Sequence, residues 1–254
     1  MHSQNKTVVK SLVILNLFRK HSTLTLNEIV RLSELPKTSA HRMVGSLTEM
    51  GFLTKDNQGS YSLGLLFLEF GEIVSERLNL RKIAKPYMED LRDKVNEAVN
   101  LTIRDGDEAL YVEKIDTDHP VRLFTKIGRR SPLYTGACSR IILAYMEDQE
   151  REAYVERTTL ESIGIKTITS KSKLKEVLHQ SRLNGYTISY SELENNTVSI
   201  AAPIFNYAGQ IAGGLSVAGP ETRFTEDKIK ELTQQVKETA YRISKELGFT
   251  ESNV

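Results

Sequence analysis

From Thr7 the chain reads TVVKSLVILNLFRK, and its apolar residues recur with a helical period. Val9, Leu12 and Val13, with the pair Val8 and Leu15, form a stripe that Leu17 and Phe18 widen. The spacing predicts a first helix with that stripe turned to a core, closed by the polar run His21-Ser22-Thr23. Thr25-Leu26-Asn27-Glu28 then has the form of a capping box, a hydroxyl for the first-turn amides and a glutamate that reaches back. It opens a short second helix whose core face is Ile29 and Leu32. A third helix begins around Pro36, tolerated in a first turn because its missing N–H would have no partner there. Within it Ala40, Met43, Val44 and Leu47 fall at i, i+3, i+4 and i+7 and face the core. Between Gly51 and Leu63 two short β-prone runs flank Asp56-Asn57-Gln58-Gly59, which predicts a hairpin. Helix, helix, third helix and hairpin make a winged helix-turn-helix.

The pattern then changes. Leu66, Phe70, Ile73 and Arg77 share one stripe of a further helix, and such an apolar helix between two domains needs a partner surface. That surface is either the following domain or the same helix of a second chain. Residues 82–91 are amphipathic, and strand-like runs follow at 98–104 and 109–115 around the turn Asp105-Gly106-Asp107. Further strand signals lie at 121–125, 198–205 and 211–217, and helical patterns at 136–157, 171–183 and 225–247. Hairpin-joined strands interspersed with helices predict an α+β fold on an antiparallel sheet. The expected division is a winged helix-turn-helix over 1–65, a linker helix over 66–80 and a second domain over 81–254.

Charge sharpens this division. The net charge of +1 over 254 residues is a sum of unlike parts. Residues 1–65 carry eight Lys and Arg against four acids, and the remainder carries 26 against 29. A basic head on a mildly acidic body is the asymmetry expected where only the head meets a polyanion. In the third helix the residues off the core face are Lys37, Thr38, Ser39, His41, Arg42, Gly45 and Ser46, with no acid between Pro36 and Thr48. An ordinary solvated face mixes signs. An acid-free face of short polar residues and cations suits a helix in the major groove of double-stranded DNA, with Lys55 in the hairpin meeting phosphate. The alternative is a small helical domain whose basic face is merely solvated.

Other chemistry finds little support. One cysteine excludes a disulfide framework and a zinc finger, and fits a reducing cytosol. Long apolar stretches such as Ile141–Met146 fall far short of the roughly 18 residues that suggest a membrane span. Asn16, Arg19 and Lys20 interrupt the N-terminal apolar run and no small-residue cleavage site follows, so a signal peptide is not expected and the chain is placed in the cytoplasm. Asp105, Asp107, Glu113, Asp116 and Asp118 match no calcium loop. His119 and His179 have no partner at ligand spacing, and Cys138 has no base beside it in sequence. Neither a Walker loop nor a GxGxxG fingerprint occurs. No cofactor, metal or catalytic constellation is expected. By contrast, Tyr134-Thr-Gly-Ala-Cys-Ser-Arg140 is small and polar before turning into the apolar Ile141-Ile-Leu-Ala, where a helix N-terminus would offer free N–H groups to an anion or carboxylate.

The runs VVKSLVIL, LTLNEIVRLSELPKTSAHRMVGSLTEMGFLT and GSYSLG resemble the DNA-binding domain of the IclR family of bacterial transcriptional regulators. The resemblance continues through Pro132-Leu133-Tyr134, Ser139-Arg140, Leu143-Ala144, Gly185-Tyr186 and Glu192 to Ile200-Ala-Ala-Pro203 and Leu215-Ser-Val-Ala-Gly-Pro220. It thus covers nearly the whole chain. It implies a GAF/profilin-like sensor domain whose small-molecule effector, an organic acid or similar metabolite, lies among Ala137, Cys138, Ser189, Ser199, Ser216 and Ala218. Ser199 stands where many relatives have cysteine, Ala218 where many have serine, and Ser139-Arg140 where the usual pair is Gly-Lys. The expected protein is a regulator, a repressor rather than an activator, acting as a homodimer or tetramer on a palindromic operator. An effector that binds two states unequally would shift dimer geometry through the 65–78 helix. The rival reading is a small-molecule enzyme or sensor whose head contacts a protein partner.

Overall fold

The computed structural model describes residues 5–77, 79–123 and 125–250, with the side chains of 74–77 set aside. The predicted place of Arg77 on the linker stripe lies outside the described side chains. The chain divides into two compact units, Met1–Leu78 and Asn79–Val254.

In the first unit α1 (Lys6–Leu17), α2 (Leu26–Ser33) and α3 (Lys37–Glu49) enclose a core of Ile14, Phe18, Leu24, Ile29, Val44, Leu47, Leu53 and Tyr61. The capping box at α2 is formed: Thr25 N–H donates to Glu28 Oε2 at 2.8 Å, and Glu28 N–H donates to Thr25 Oγ1 at 3.4 Å. The Thr25 amide and hydroxyl hold the Glu28 carboxyl below its ordinary range. Glu34, in the left-handed region at φ 57°, turns the chain so that α3 begins three residues later. On α3 Ala40, Val44 and Leu47 are buried and Met43 half-buried, as the periodicity predicts.

The stripe on α1 differs from its prediction. Val8 and Leu12 are 65% and 57% exposed and Val9 and Val13 are exposed as well, whereas Ile14, absent from the predicted stripe, is fully buried; Phe18 is buried and Leu15 and Leu17 pack against the core as predicted. Leu32 on α2 is likewise exposed. The apolar residues of α1 span more than the one face that α2 and α3 cover, so a second apolar face is left outside.

The hairpin is present as β2 (Leu53–Lys55) and β3 (Ser60–Leu63), antiparallel with Leu53 opposite Leu63. Asp56 Oδ1 accepts from the N–H groups of Gln58 and Ser60, both at 2.9 Å, and Gly59 supplies the φ of +86° that the turn requires. A two-residue strand β1 (Leu24–Thr25) completes a sheet of order β1-β3-β2. Next comes α4 (Leu66–Arg77), with Phe67 and Phe70 ring centroids 5.5 and 6.3 Å from that of Phe52. Its residues Leu68 and Ile73, and the preceding Leu65, are exposed.

The second unit is α+β. Its six strands are β4 (Ala98–Asp105), β5 (Glu108–Ile115), β6 (Arg130–Pro132), β7 (Thr187–Tyr190), β8 (Thr197–Phe205) and β9 (Ile211–Pro220). They run in the order β6-β5-β4-β9-β8-β7, and every pairing is antiparallel. The predicted strand at 121–125 is absent among the described residues, Phe124 lying outside them. The sheet edge is formed by 130–132 instead.

Helix α5 (Asn79–Val95) packs with α9 (Glu226–Glu246), burying Ala84, Met88, Leu91, Leu232, Val236 and Ile243. The predicted helical run at 136–157 is two helices, α6 (Ala137–Tyr145) and α7 (Asp148–Arg157), broken where Met146 takes an extended conformation. Together with α8 (Lys171–Asn184) they form a second layer around Ile141, Ile142, Tyr154, Leu174 and Leu178. Adjacent glycines show that the two layers lie on opposite faces of the sheet. A Cβ at Gly214 would meet Cys138 O of α6 at 2.6 Å, and one at Gly213 would meet Leu80 of α5 at 3.0 Å.

Helix α6 is buried from Ala137 to Ala144, so its one charged residue must be neutralised internally. Arg140 is 1% exposed and places Nη1 2.5 Å from the Glu192 carboxylate. Its Nε donates to Thr187 Oγ1 and its Nη2 to Ile188 O. Glu192 Oε2 in turn accepts the N–H of Gly136 at 3.1 Å, which ties the start of α6 to the segment after β7. Removing one partner strands the other. We expect Arg140→Met to cost about 3–5 kcal/mol in urea unfolding followed by circular dichroism. The double change Arg140→Met/Glu192→Leu should cost less than the single one. A single-variant loss below about 1 kcal/mol contradicts this account.

Candidate nucleic-acid interface and small-molecule pocket

The core face of α3 leaves Lys37, Thr38, His41 and Arg42 exposed and Ser39 half-buried. All five predicted residues thus lie off the core on one helix, with no acid in its first turn. Lys55 lies on β2 of the hairpin, its Nζ 5.5 Å from the Tyr61 ring centroid. Beside α3 runs a groove shared with α1, lined by Lys6, Thr7, Lys10, Ser11, Ser39, Arg42, Met43 and Ser46. It holds three cations and no carboxylate. Lys6 and Lys10 were not among the sequence candidates; their i, i+4 spacing on α1 was the available signal.

Ion pairing separates the two units more sharply than net charge does. The ion pairs of the described residues run from Arg81–Glu113 to Arg242–Asp90, all within the second unit. Among the described residues, none of the eight Lys and Arg side chains of the head has an acidic partner within ion-pair distance. A cationic surface whose charges make no direct ion pair is disposed toward a polyanion, whose own counter-ions it releases on contact.

The second unit holds a small cavity between the start of α6 and the sheet. Its floor follows from the register: Ser189 lies opposite Ser199, and Ser199 opposite Ala218, while Ser216 of the neighbouring row lies opposite Asn100. Ala137, Ser189, Ser199, Ser216 and Ala218 all line it. Cys138 does not. It sits behind, with Sγ 3.0 Å from Thr102 Oγ1 and donating to Gly214 O at 3.2 Å. Burial pushes its thiol up to about 11, which keeps it protonated and unsuited to nucleophilic work at neutral pH.

Sequence reasoning missed the rest of the lining, which includes Asn100, Tyr111, Thr125, Arg129, Leu193 and Glu194. Arg129 Nη1 meets Glu194 Oε1 at 2.5 Å, so an ion pair joins the segment before β6 to the β7–β8 turn at the cavity. Leu193 packs against Gly136, where φ is +73° and a Cβ would lie 2.6 Å from Leu193 Cδ1. Free space in the cavity is about 30 Å³, room for one water, so a ligand of several heavy atoms requires these side chains to part. Asn100 and Thr102 are polar residues within the otherwise apolar run Ala98–Ile103, a signal the sequence did contain.

The acids that raised the question of a metal are in ion pairs: Asp105 with Arg130, Asp107 with Arg157, Glu113 with Arg81, Asp116 with Lys114 and Asp118 with Arg92. Among the described residues no three His, Cys, Asp or Glu side chains group as metal ligands. No described helix is long and apolar enough to cross a membrane.

Residues 73–245 match the family model for the bacterial transcriptional regulator IclR C-terminal domain, and residues 7–57 match the IclR helix-turn-helix domain. The HTH-type transcriptional regulator KipR of Bacillus subtilis is 58% identical over 250 residues, covering 98% of this chain and all of that protein. The crystal structure of Thermotoga maritima IclR has a TM-score of 0.81 at 30% identity, covering 96% of this chain and 99% of that one. An IclR homolog from Microbacterium hydrocarbonoxydans, complexed with 4-hydroxybenzoate, has a TM-score of 0.84 at 25% identity, covering 95% and 99%. These relatives are regulators, not enzymes. The chain belongs to the IclR family: it is a transcriptional regulator with a DNA-binding helix-turn-helix head and an effector-binding C-terminal domain.

Proposed function

We propose that the chain is a cytoplasmic repressor that binds a palindromic operator as a homodimer and releases or tightens its hold when a small organic acid occupies the body. Residues 1–65 read DNA, 66–80 transmit and 81–254 sense. The unpaired cations of the head carry this reading. Lys37, Thr38, Ser39, His41 and Arg42 of α3 meet base edges and adjacent phosphates in the major groove. Lys55 in the hairpin, with Lys6 and Lys10 across the α1–α3 groove, meets backbone phosphate.

Pairing of two chains is supported by apolar surface that the head leaves exposed. Val8, Val9, Leu12 and Val13 on α1, and Leu68, Phe70 and Ile73 on α4, are exposed. Apolar residues grouped on helices in this way mark an interaction surface. A two-fold contact there would set two α3 helices on successive turns of a palindrome. Repression is the economical sign, since occupying an operator suffices to block transcription while activation needs a further contact with polymerase.

The cavity over Ser189, Ser199, Ser216 and Ala218 is the proposed effector site. Ala137 lines the cavity, and its N–H belongs to the first turn of α6, where the helix supplies no acceptor; it suits a carboxylate. The family relative that holds 4-hydroxybenzoate, itself an acid, supports that class.

Fluorescence anisotropy on a duplex from the region upstream of the encoding gene tests the DNA interface. Arg42→Ala should weaken retention by about 1–3 kcal/mol at fixed salt. Unchanged retention contradicts the assignment of α3. Sedimentation velocity tests the pairing surface: Leu12→Glu/Leu68→Glu should convert dimer to monomer with the circular dichroism spectrum preserved. A variant that sediments as the parent protein does rules out α1 and α4 as the interface.

A further inference from the structure

One residue of the cavity remains unexplained by the fold. Asn100 is 3% exposed, and its side-chain Oδ1 is the one buried side-chain polar atom among the described residues without a hydrogen-bond partner. Its backbone is fully engaged in the sheet, between Ser216 of β9 and Lys114 of β5. Asparagine is also disfavoured in strand interiors, and an apolar residue would fit the run Ala98-Val99-Asn100-Leu101. A buried acceptor with no protein partner, on a residue type unfavourable for its element, is the kind of local conflict that function explains.

The neighbours of Asn100 indicate what it would meet. Cys138 Sγ lies 3.9 Å from Asn100 O, so the first turn of α6 sits directly above this part of β4. Ser216, beside Asn100 in the register, and Ser199, two strands away, also line the cavity. Strand spacing of about 4.8 Å puts Asn100 and Ser216 within reach of one small group, with Ser199 further along the same cavity. Hydroxyls rotate to donate or accept, whereas an amide oxygen only accepts. Thus the serines tolerate either kind of ligand group, and Asn100 Oδ1 demands a donor.

We propose that Asn100 is the specificity-determining residue of this cavity, and that it selects an organic acid carrying a second group with an O–H or N–H donor. This rests on the reading of the cavity as the effector site with the carboxylate at the start of α6. The donor satisfies Oδ1. An analogue without it leaves that oxygen buried and unpaired, which a site of this design penalises heavily.

The test uses the full chain and three matched pairs of acids: lactate with propionate, 3-hydroxybutyrate with butyrate, and 4-hydroxybenzoate with benzoate. Thermal shift and calorimetry read the affinities, since a ligand of the native state raises the melting temperature with concentration. At least one hydroxy acid should bind tenfold or more tighter than its deoxy partner. In Asn100→Leu and Asn100→Ser, both checked by circular dichroism, that ratio should fall to within twofold for the first and partly persist for the second. Equal binding within every pair overturns the proposal, and so does a ratio that survives Asn100→Leu; in both cases the effector-site reading stands. If none of the six acids binds, that reading fails and the proposal with it. The wild-type ratios alone decide the matter if neither variant folds.

Discussion

The body of this regulator is organised around a charge that has nowhere to go but its own partner. Arg140 lies in a helix buried along nearly its whole length, and only Glu192, Thr187 and the carbonyl of Ile188 meet its guanidinium. Glu192 uses its remaining capacity on the N–H of Gly136. That pair fixes the first turn of α6 against β7 and its following turn, the two walls between which the cavity lies. A hydrophobic pair of similar volume would hold the layers together at equal or greater stability. It would not fix the orientation of the Gly136 amide, and with it the entry of α6 above Asn100 and Ser216.

The head is built on the opposite principle. Its cations have no acidic partners among the described residues, whereas the body pairs its charges extensively, from Arg81–Glu113 to Arg242–Asp90. Leaving cations unpaired costs little at an exposed surface, because surface ion pairs contribute little in any case. It leaves a field that phosphate can satisfy. The same head exposes apolar residues on α1 and α4, the surface on which the proposed pairing of two chains rests.

Much of this was legible in the residues. Ala40, Val44 and Leu47 carried the core face of α3 by their spacing, and Thr25 with Glu28 announced the start of α2 by chemistry that acts within four residues. The α1 stripe misled in part because periodicity reports that a face is apolar, not which apolar face the neighbours cover; Ile14 is buried beside Phe18, while Val9, Leu12 and Val13 are left outside. The strands at 24–25, 130–132 and 187–190 are too short for a period of two to show, and the first two are defined by partners distant in sequence. The run 136–157 read as one helix because both halves are helical, and only Met146 and Glu147, neither of them helical, separate them. Five of the six candidate residues reached the cavity lining through the family resemblance. Asn100 was visible as a polar residue in an apolar strand, but its lack of a partner is a property of three-dimensional packing and could not be read from sequence.

The salt dependence of DNA binding tests the central claim most directly. In the proposed mode of binding, cations on α1, α3 and the hairpin that make no direct ion pair displace counter-ions from phosphate. The logarithm of the association constant should therefore fall linearly with the logarithm of salt concentration, with a slope of about −5 or steeper, at about −0.9 per phosphate contact. A slope between zero and about −1 would mean that the head does not grip the backbone, and would contradict the account.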